Sequence, residues 1–179
     1  MKKRIVNDMV LIALFASVIS VTSFVSIPFG AIPVTLQTFG IFSALMLLGG
    51  RRGTISVALY IALGVVGLPV FSGFTAGVGR LFDSTGGFII GFFVAALLYW
   101  LLTATFGASL TVTVLSTVAA HLALYTVGVL WFCLGYSDGA GFLSALAATV
   151  LPFLLPDAIK LLLAIFVCEK IKKRLNKPL

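Results

Sequence analysis

The sequence predicts an all-α membrane protein of six transmembrane helices with both termini cytoplasmic, forming one domain over residues 1–179. Three observations carry that prediction. Of the 179 residues 61% are apolar and only 9% charged, with mean hydropathy +1.23, whereas soluble domains have about 45–50% apolar and 25% charged residues. A water-soluble globule of this size cannot hide so much hydrocarbon, and a disordered chain would carry more charge. The charges also leave two long gaps, Met9–Gly50 and Ser84–Ser137, the second broken only by His121. Within them, Phe88–Phe106 is apolar on every face. A β-barrel strand would alternate apolar and polar residues, while a helix satisfies its own backbone in lipid.

The helices follow in order. Met9–Gly50 is twice the ~20 residues one crossing needs, and Pro28-Phe29-Gly30-Ala31-Ile32-Pro33 divides it. Helix one therefore covers about Met9–Val25 and helix two about Leu36–Gly50. Helix three runs from about Thr54 to Leu68, before Pro69. Ser84–Ser137 as one helix would reach ~80 Å, so it must turn, at Phe106-Gly107-Ala108-Ser109. Helix four covers about Gly87–Thr105, helix five about Leu110–Cys133 and helix six about Phe142–Val167.

This threading sorts the 12 Lys and Arg. Lys2, Lys3, Arg4, Arg51, Arg52 and the basic residues between Lys170 and Lys177 fall on one side, leaving Arg80 on the other and Lys160 inside a span. The positive-inside rule makes the crowded side cytoplasmic. Lys2-Lys3-Arg4 before an apolar run resembles a signal peptide, but removing helix one would strand either the Arg pair or the tail, so helix one is read as retained. The net charge of +7 forms no basic face interleaved with polar residues, which argues against nucleic acid. Cys133 and Cys168 fall near opposite membrane faces, too far apart for a disulfide. No metal-ligand spacing is present, and neither a cofactor nor a catalytic group is expected.

Polar residues inside the spans are expensive in hydrocarbon. Asp157 and Lys160, in Leu155-Pro156-Asp157-Ala158-Ile159-Lys160, share one face at i, i+3 and can neutralise one another. Asp157 sits about 20 Å from the inner interface. His121 and Tyr125 on helix five reach a similar level, Gln37 opens helix two at its outer end, and Arg80 lies in the outer loop after helix three. Groups from four segments converge near the outer face with none matching in the inner half, which describes a pocket open to the outside. Each also has a plainer reading: His121 a hydrogen-bonded core residue, Tyr125 an interface tyrosine, Arg80 a headgroup anchor, Gln37 a cap. On helix one, Ala13 and Ser17, with Ala16 and Ser20 beside them, form a small-residue ridge suited to internal packing or to docking another membrane protein.

Several runs, taken together and in order, resemble the BioY proteins, the biotin-specific S components of energy-coupling-factor (ECF) transporters. They are Ile32-Pro33-Val34-Thr35-Leu36-Gln37-Thr38, Gly49-Gly50-Arg51-Arg52-Gly53, Tyr60-x-x-x-Gly64-x-x-Gly67-x-Pro69-Val70-Phe71, Thr85-Gly86-Gly87-Phe88-x-x-Gly91-Phe92 and Pro156-Asp157-x-x-Lys160. They span about Pro28 to Ile165. Asp83-Ser84 stand where the family more often has Gly-Pro, Phe88 where it has Tyr, and Ser17 where it has the second Ala of Ala-x-x-x-Ala. The resemblance implies a six-helix S-component fold in the cytoplasmic membrane of a prokaryote. It also implies biotin capture from outside and partnership with a transmembrane T component and two ATPase subunits. The chain has no G-x-x-x-x-G-K-[ST] motif of its own.

On this reading Asp157 accepts from a ureido N–H of biotin, Lys160 donates to the ureido oxygen or the carboxylate, and Arg80 covers the carboxylate. Gln37, Tyr125 and His121 complete the polar set, and Val34 and Phe71 wall the rings. The loop Ser26–Thr35 is expected to act as a lid, and Ala13 and Ser17 to face the T component. The alternatives are an S component for thiamin or riboflavin and, from another class, an intramembrane serine hydrolase using Ser72 and His121. The second lacks the glycine two residues before the serine and an evident orienting carboxylate. An ion channel would need a ring of charge or a carbonyl-lined filter in the inner half, and the sequence offers neither.

Overall fold

The second of the six passes is short and lies at the centre of the bundle. In the computed structural model, which describes residues 2–28, 32–137 and 141–175, the chain forms α1 (Lys2–Phe24), α2 (Gln37–Leu48), α3 (Gly50–Val66), α4 (Gly86–Phe106), α5 (Leu110–Tyr136), α6 (Gly141–Thr149) and α7 (Leu154–Leu175). The last two together make the sixth pass. α1, α4, α5 and the combined α6–α7 stretch are long and apolar enough to cross a membrane, while α2 is a shorter apolar helix. All of α2 except Phe39 is buried, ringed by α1, α3, α4 and α7. A helix apolar on every side has nowhere to go but the centre of a bundle.

Several boundaries differ from the sequence expectation. α1 begins at Lys2, its basic residues continuing the helix past the apolar run. α3 starts at Gly50 rather than Thr54, because Gly49 at φ +81° turns the chain in one residue. Arg51 and Arg52 therefore lie in its first turn rather than in a loop. The connection after α1 holds two short strands, β1 (Ser26–Ile27) and β2 (Val34–Thr35), paired antiparallel with Ser26 opposite Thr35. The tip of the expected lid, Phe29–Ala31, and Lys177 lie outside the described residues.

The largest correction concerns helix six, expected to run unbroken. It breaks at Val150, passes through a 3-10 turn at Leu151–Phe153 and restarts at Leu154. Pro152 causes this, lacking an N–H and pressing its ring on the preceding turn. The other pairs pack through close contacts. Along α4 and α5, a Cβ on Gly87 would lie 2.2 Å from Trp131 Cβ, and one on Gly128 would lie 2.4 Å from Phe88 Cε1. These two glycines let large aromatics lie flat on the opposing backbone. Both cysteines are free thiols, Cys168 buried and Cys133 partly so.

Gly128→Ala should therefore destabilise the protein by about 1–3 kcal/mol through overpacking. Gly135→Ala, at a site on the same helix with nothing within 4 Å, should be neutral or slightly stabilising. Thermal unfolding of the two purified variants in detergent checks this; equal melting temperatures would refute it.

Candidate functional site

The break before α7 puts Asp157 in the first turn of a helix. There the unpaired backbone N–H groups and the positive end of the helix dipole favour a carboxylate. Three further side chains converge on it. Lys160 Nζ donates to Oδ1 at 2.6 Å, one turn along the same face. Thr38 Oγ1, at the start of α2, donates to Oδ1 at 3.2 Å. Tyr125 O–H, from α5, donates to Oδ2 at 2.7 Å. Asp157 and Lys160 are 5% and 6% exposed, so this is a buried ion pair held by three helices.

His121 lies one turn before Tyr125, its Nε2 3.4 Å from Asp157 Oδ2. Neither ring nitrogen makes a hydrogen bond among the described residues. The ring packs edge-on against Tyr125, with centroids 4.5 Å apart. A carboxylate offers about four acceptor positions; three are filled here, which leaves one for another donor. Lys160 makes a single bond, to Asp157, so its ammonium keeps donors to spare.

Asp157, Lys160, Thr38 and Tyr125 line one open-mouthed cavity. Phe71, Phe88, Ile89, Phe92, Leu124 and Phe153 supply apolar walls. Gln37 joins the polar lining and donates through Nε2 to Tyr60 O–H at 2.7 Å. Arg80 enters from the 3-10 turn Val78–Leu81 and forms an ion pair with Asp83. Asp83 is itself fixed by Thr85, whose N–H and O–H donate to its Oδ1 at 2.8 and 2.7 Å. Trp131 Nε1 donates to the Asp83 carbonyl at 3.0 Å. The Nε of Arg80 is buried without a partner among the described residues.

Of the predicted residues, Asp157, Lys160, Arg80, Gln37, Tyr125 and Phe71 all line this one cavity. His121 and Val34 do not. His121 stands behind Asp157 rather than beside the open space. Val34 falls between Pro33 and Thr35, which do line the cavity. Side chains alternate along a strand, so Val34 points away and packs against the cluster around Ile32 and Tyr125. Ala13 and Ser17 are exposed on α1, whereas Ala16 and Ser20 are buried. The ridge thus has one inward and one outward row. Ser72 lines the cavity but pairs with Ser26 Oγ at 2.9 Å, not with His121.

Sequence reasoning missed Thr38, Asp83, Thr149 and Phe153. Thr38 follows Gln37 directly, and Asp83 is three residues after Arg80, so both had a spacing signal. Thr149 and Phe153 were hidden by the assumption of a continuous sixth helix.

A protein-family model described as the BioY family matches residues 1–177. The chain is similar to the probable biotin transporter BioY of Pyrococcus horikoshii, 34% identical over 169 residues, covering 93% of this chain and 96% of that one. It is also similar to the biotin transporter BioY of Thermotoga maritima, 36% identical over 160 residues, covering 89% and 92%. The fold matches a solved crystal structure of the S-component for biotin from an ECF-type ABC transporter, with a TM-score of 0.84 at 25% identity, over 97% of this chain and 94% of that one.

The ion pair is asymmetric, and the asymmetry is measurable. Asp157→Leu leaves the Lys160 ammonium buried with no carboxylate and should cost about 3–5 kcal/mol of stability. Lys160→Met leaves Asp157 with Thr38 and Tyr125 and should cost less. The double variant should recover most of the loss. Thermal melts of the three variants test this, and equal costs for the single changes would contradict it.

Proposed function

The chain belongs to the BioY family, and we propose that it captures biotin in the cavity around Asp157 and Lys160, as the S component of an ECF transporter. It is a multi-pass membrane protein with the S-component fold, and its work is binding and transport rather than catalysis. The single observation that carries the ligand assignment is a half-satisfied buried ion pair and a second cation, Arg80, on the walls of one otherwise apolar cavity.

Biotin makes three demands: an anionic carboxylate, a ureido group with two N–H donors and one acceptor, and an apolar ring and chain. Asp157 takes a ureido N–H at its remaining acceptor position. Lys160 donates to the ureido oxygen, which keeps both ions compensated. Arg80 receives the carboxylate, a match for which its planar fork is well shaped. Gln37 and Tyr125 complete the polar contacts, and Phe71, Phe88 and Phe92 cover the thiophane and valeryl carbons. His121, behind the cavity, holds Tyr125 and Asp157 in place. The β1–β2 hairpin supports a lid, since Ile32, Pro33 and Thr35 already line the cavity from above the helices.

The positive-inside pattern supports an outward-facing cavity, because it lies at the end of the bundle away from Arg51, Arg52 and the basic tail. ATP hydrolysis falls to partner subunits. The outward row of Ala13 and Ser17 faces the transmembrane T component, where small residues permit close helix approach. Ser17 leaves that surface dry, because its hydroxyl bonds the Ala13 carbonyl at 3.0 Å.

Titration of the purified chain with biotin, thiamin and riboflavin should show biotin bound in preference; a preference for either other vitamin would overturn the assignment. Asp157→Asn should weaken biotin at least ~30-fold by leaving buried partners unmatched. Arg80→Gln should weaken biotin while barely changing the affinity for its uncharged amide, and equal losses would remove Arg80 from the carboxylate. Separately, Ala13→Trp should abolish co-purification with the T component while biotin affinity stays at the wild-type value. Loss of both would mean the ridge is internal packing.

A further inference from the structure

A second cavity opens at the other end of the bundle, where α2 meets α3 and α4 gives way to α5. It encloses about 1280 Å³ out to its mouth and shares no lining residue with the first. Four cations line it: Arg51 and Arg52 from the first turn of α3, and Lys172 and Lys173 from the last turn of α7. Two are neutralised, Arg52 by Asp8 at 3.0 Å and Lys172 by Glu169 at 3.3 Å. Arg51 and Lys173 have no carboxylate partner among the described residues, whose other acids, Asp83 and Asp157, pair with Arg80 and Lys160.

The backbone adds to this surplus. α3 begins with no side-chain cap and no acid in its first turn, so its leading N–H groups lack acceptors. Two arginines sit at the positive end of its dipole, a placement that costs energy unless an anion arrives. Gly49, which starts the turn, has nothing within 4 Å of where a Cβ would be, so a ligand can approach the main chain there. An apolar side faces the cations: Trp100 and Ala104 of α4 line the cavity, Trp100 at 36% exposure, and outside it Leu101 and Phe106 on the same helix are 63% and 69% exposed.

We propose that the juxtaposition of Arg51, Lys173 and the uncapped start of α3 with the apolar side at Trp100 forms a binding site for the phosphate headgroup of an anionic phospholipid. Free phosphate would satisfy the cations but leave the apolar side uncovered; a lipid satisfies both, its acyl chains lying along α4. The grouping of cations puts this end at the cytoplasmic leaflet. Surface lipid attraction alone would draw equally on Lys170 and Arg174, which do not line the cavity. The inference is independent of what the first cavity binds.

Native mass spectrometry of the full chain in detergent, titrated with phosphatidylglycerol or with phosphatidylcholine of the same acyl chains, tests it. Phosphatidylglycerol should be retained in preference. Arg51→Gln with Lys173→Gln should weaken its retention by about fivefold per charge removed, while Lys170→Gln with Arg174→Gln leaves it unchanged. Ala104→Trp, which fills the cavity without altering charge, should weaken it as well and serves if the double variant does not fold. Equal loss in both charge pairs, equal retention of the two lipids, or displacement of the lipid by millimolar inorganic phosphate would each overturn the proposal.

Discussion

A carboxylate and an ammonium inside a membrane bundle each cost several kcal/mol unless they are paired and hydrogen-bonded, and the Asp157–Lys160 pair imposes that condition on the helices around it. Coulomb attraction within one helix face is not enough, because a carboxylate has more acceptor positions than one ammonium fills. Thr38 and Tyr125 therefore have to come from α2 and α5. The Pro152 break supplies the rest by beginning a new helix under Asp157. His121 Nε2 stands 3.4 Å from the remaining position on Oδ2, and Lys160 lines the cavity with donors beyond its bond to Asp157.

The second charged element is built differently. Arg80 lies in the connection between α3 and α4, where no helix packs it from both sides, and Asp83 holds it instead. The Asp83 carboxylate already rests on the Arg80 guanidinium, so under the proposed role of Arg80 a ligand carboxylate would exchange with it rather than fill an empty site. Phe88 supplies an apolar wall and lies against Gly128. It contributes contact area and no hydrogen bond.

The two ends of the bundle solve opposite problems. At the first cavity few charges stand in an apolar setting, and each is matched or nearly so. At the other end cations exceed the acids that could answer them, and an uncapped helix start adds partial positive charge. Short α2 and α3, joined at Gly49 without a loop, create both situations. α2 begins at the wall of the first cavity, with Gln37 and Thr38 lining it, and the junction with α3 brings Arg51 and Arg52 into the first turn of a helix.

Composition and the spacing of charges alone determined that this chain is a six-pass helical membrane protein, because the hydrocarbon core tolerates only long apolar helices with charges at their ends. The polar residues stranded inside those helices, Asp157, Lys160, Tyr125 and Gln37, were legible as candidates for the same reason: hydrocarbon makes each of them expensive. Three-dimensional packing decided which of them share a wall. It withdrew His121 and Val34 from the cavity, since a ring one turn away on α5 and a strand residue on the wrong side of an alternation cannot be told from their neighbours by spacing. It added Thr38, beside Gln37 at the start of α2, and Thr149 and Phe153, whose places on the wall depend on a proline break that no periodicity in the sequence encodes.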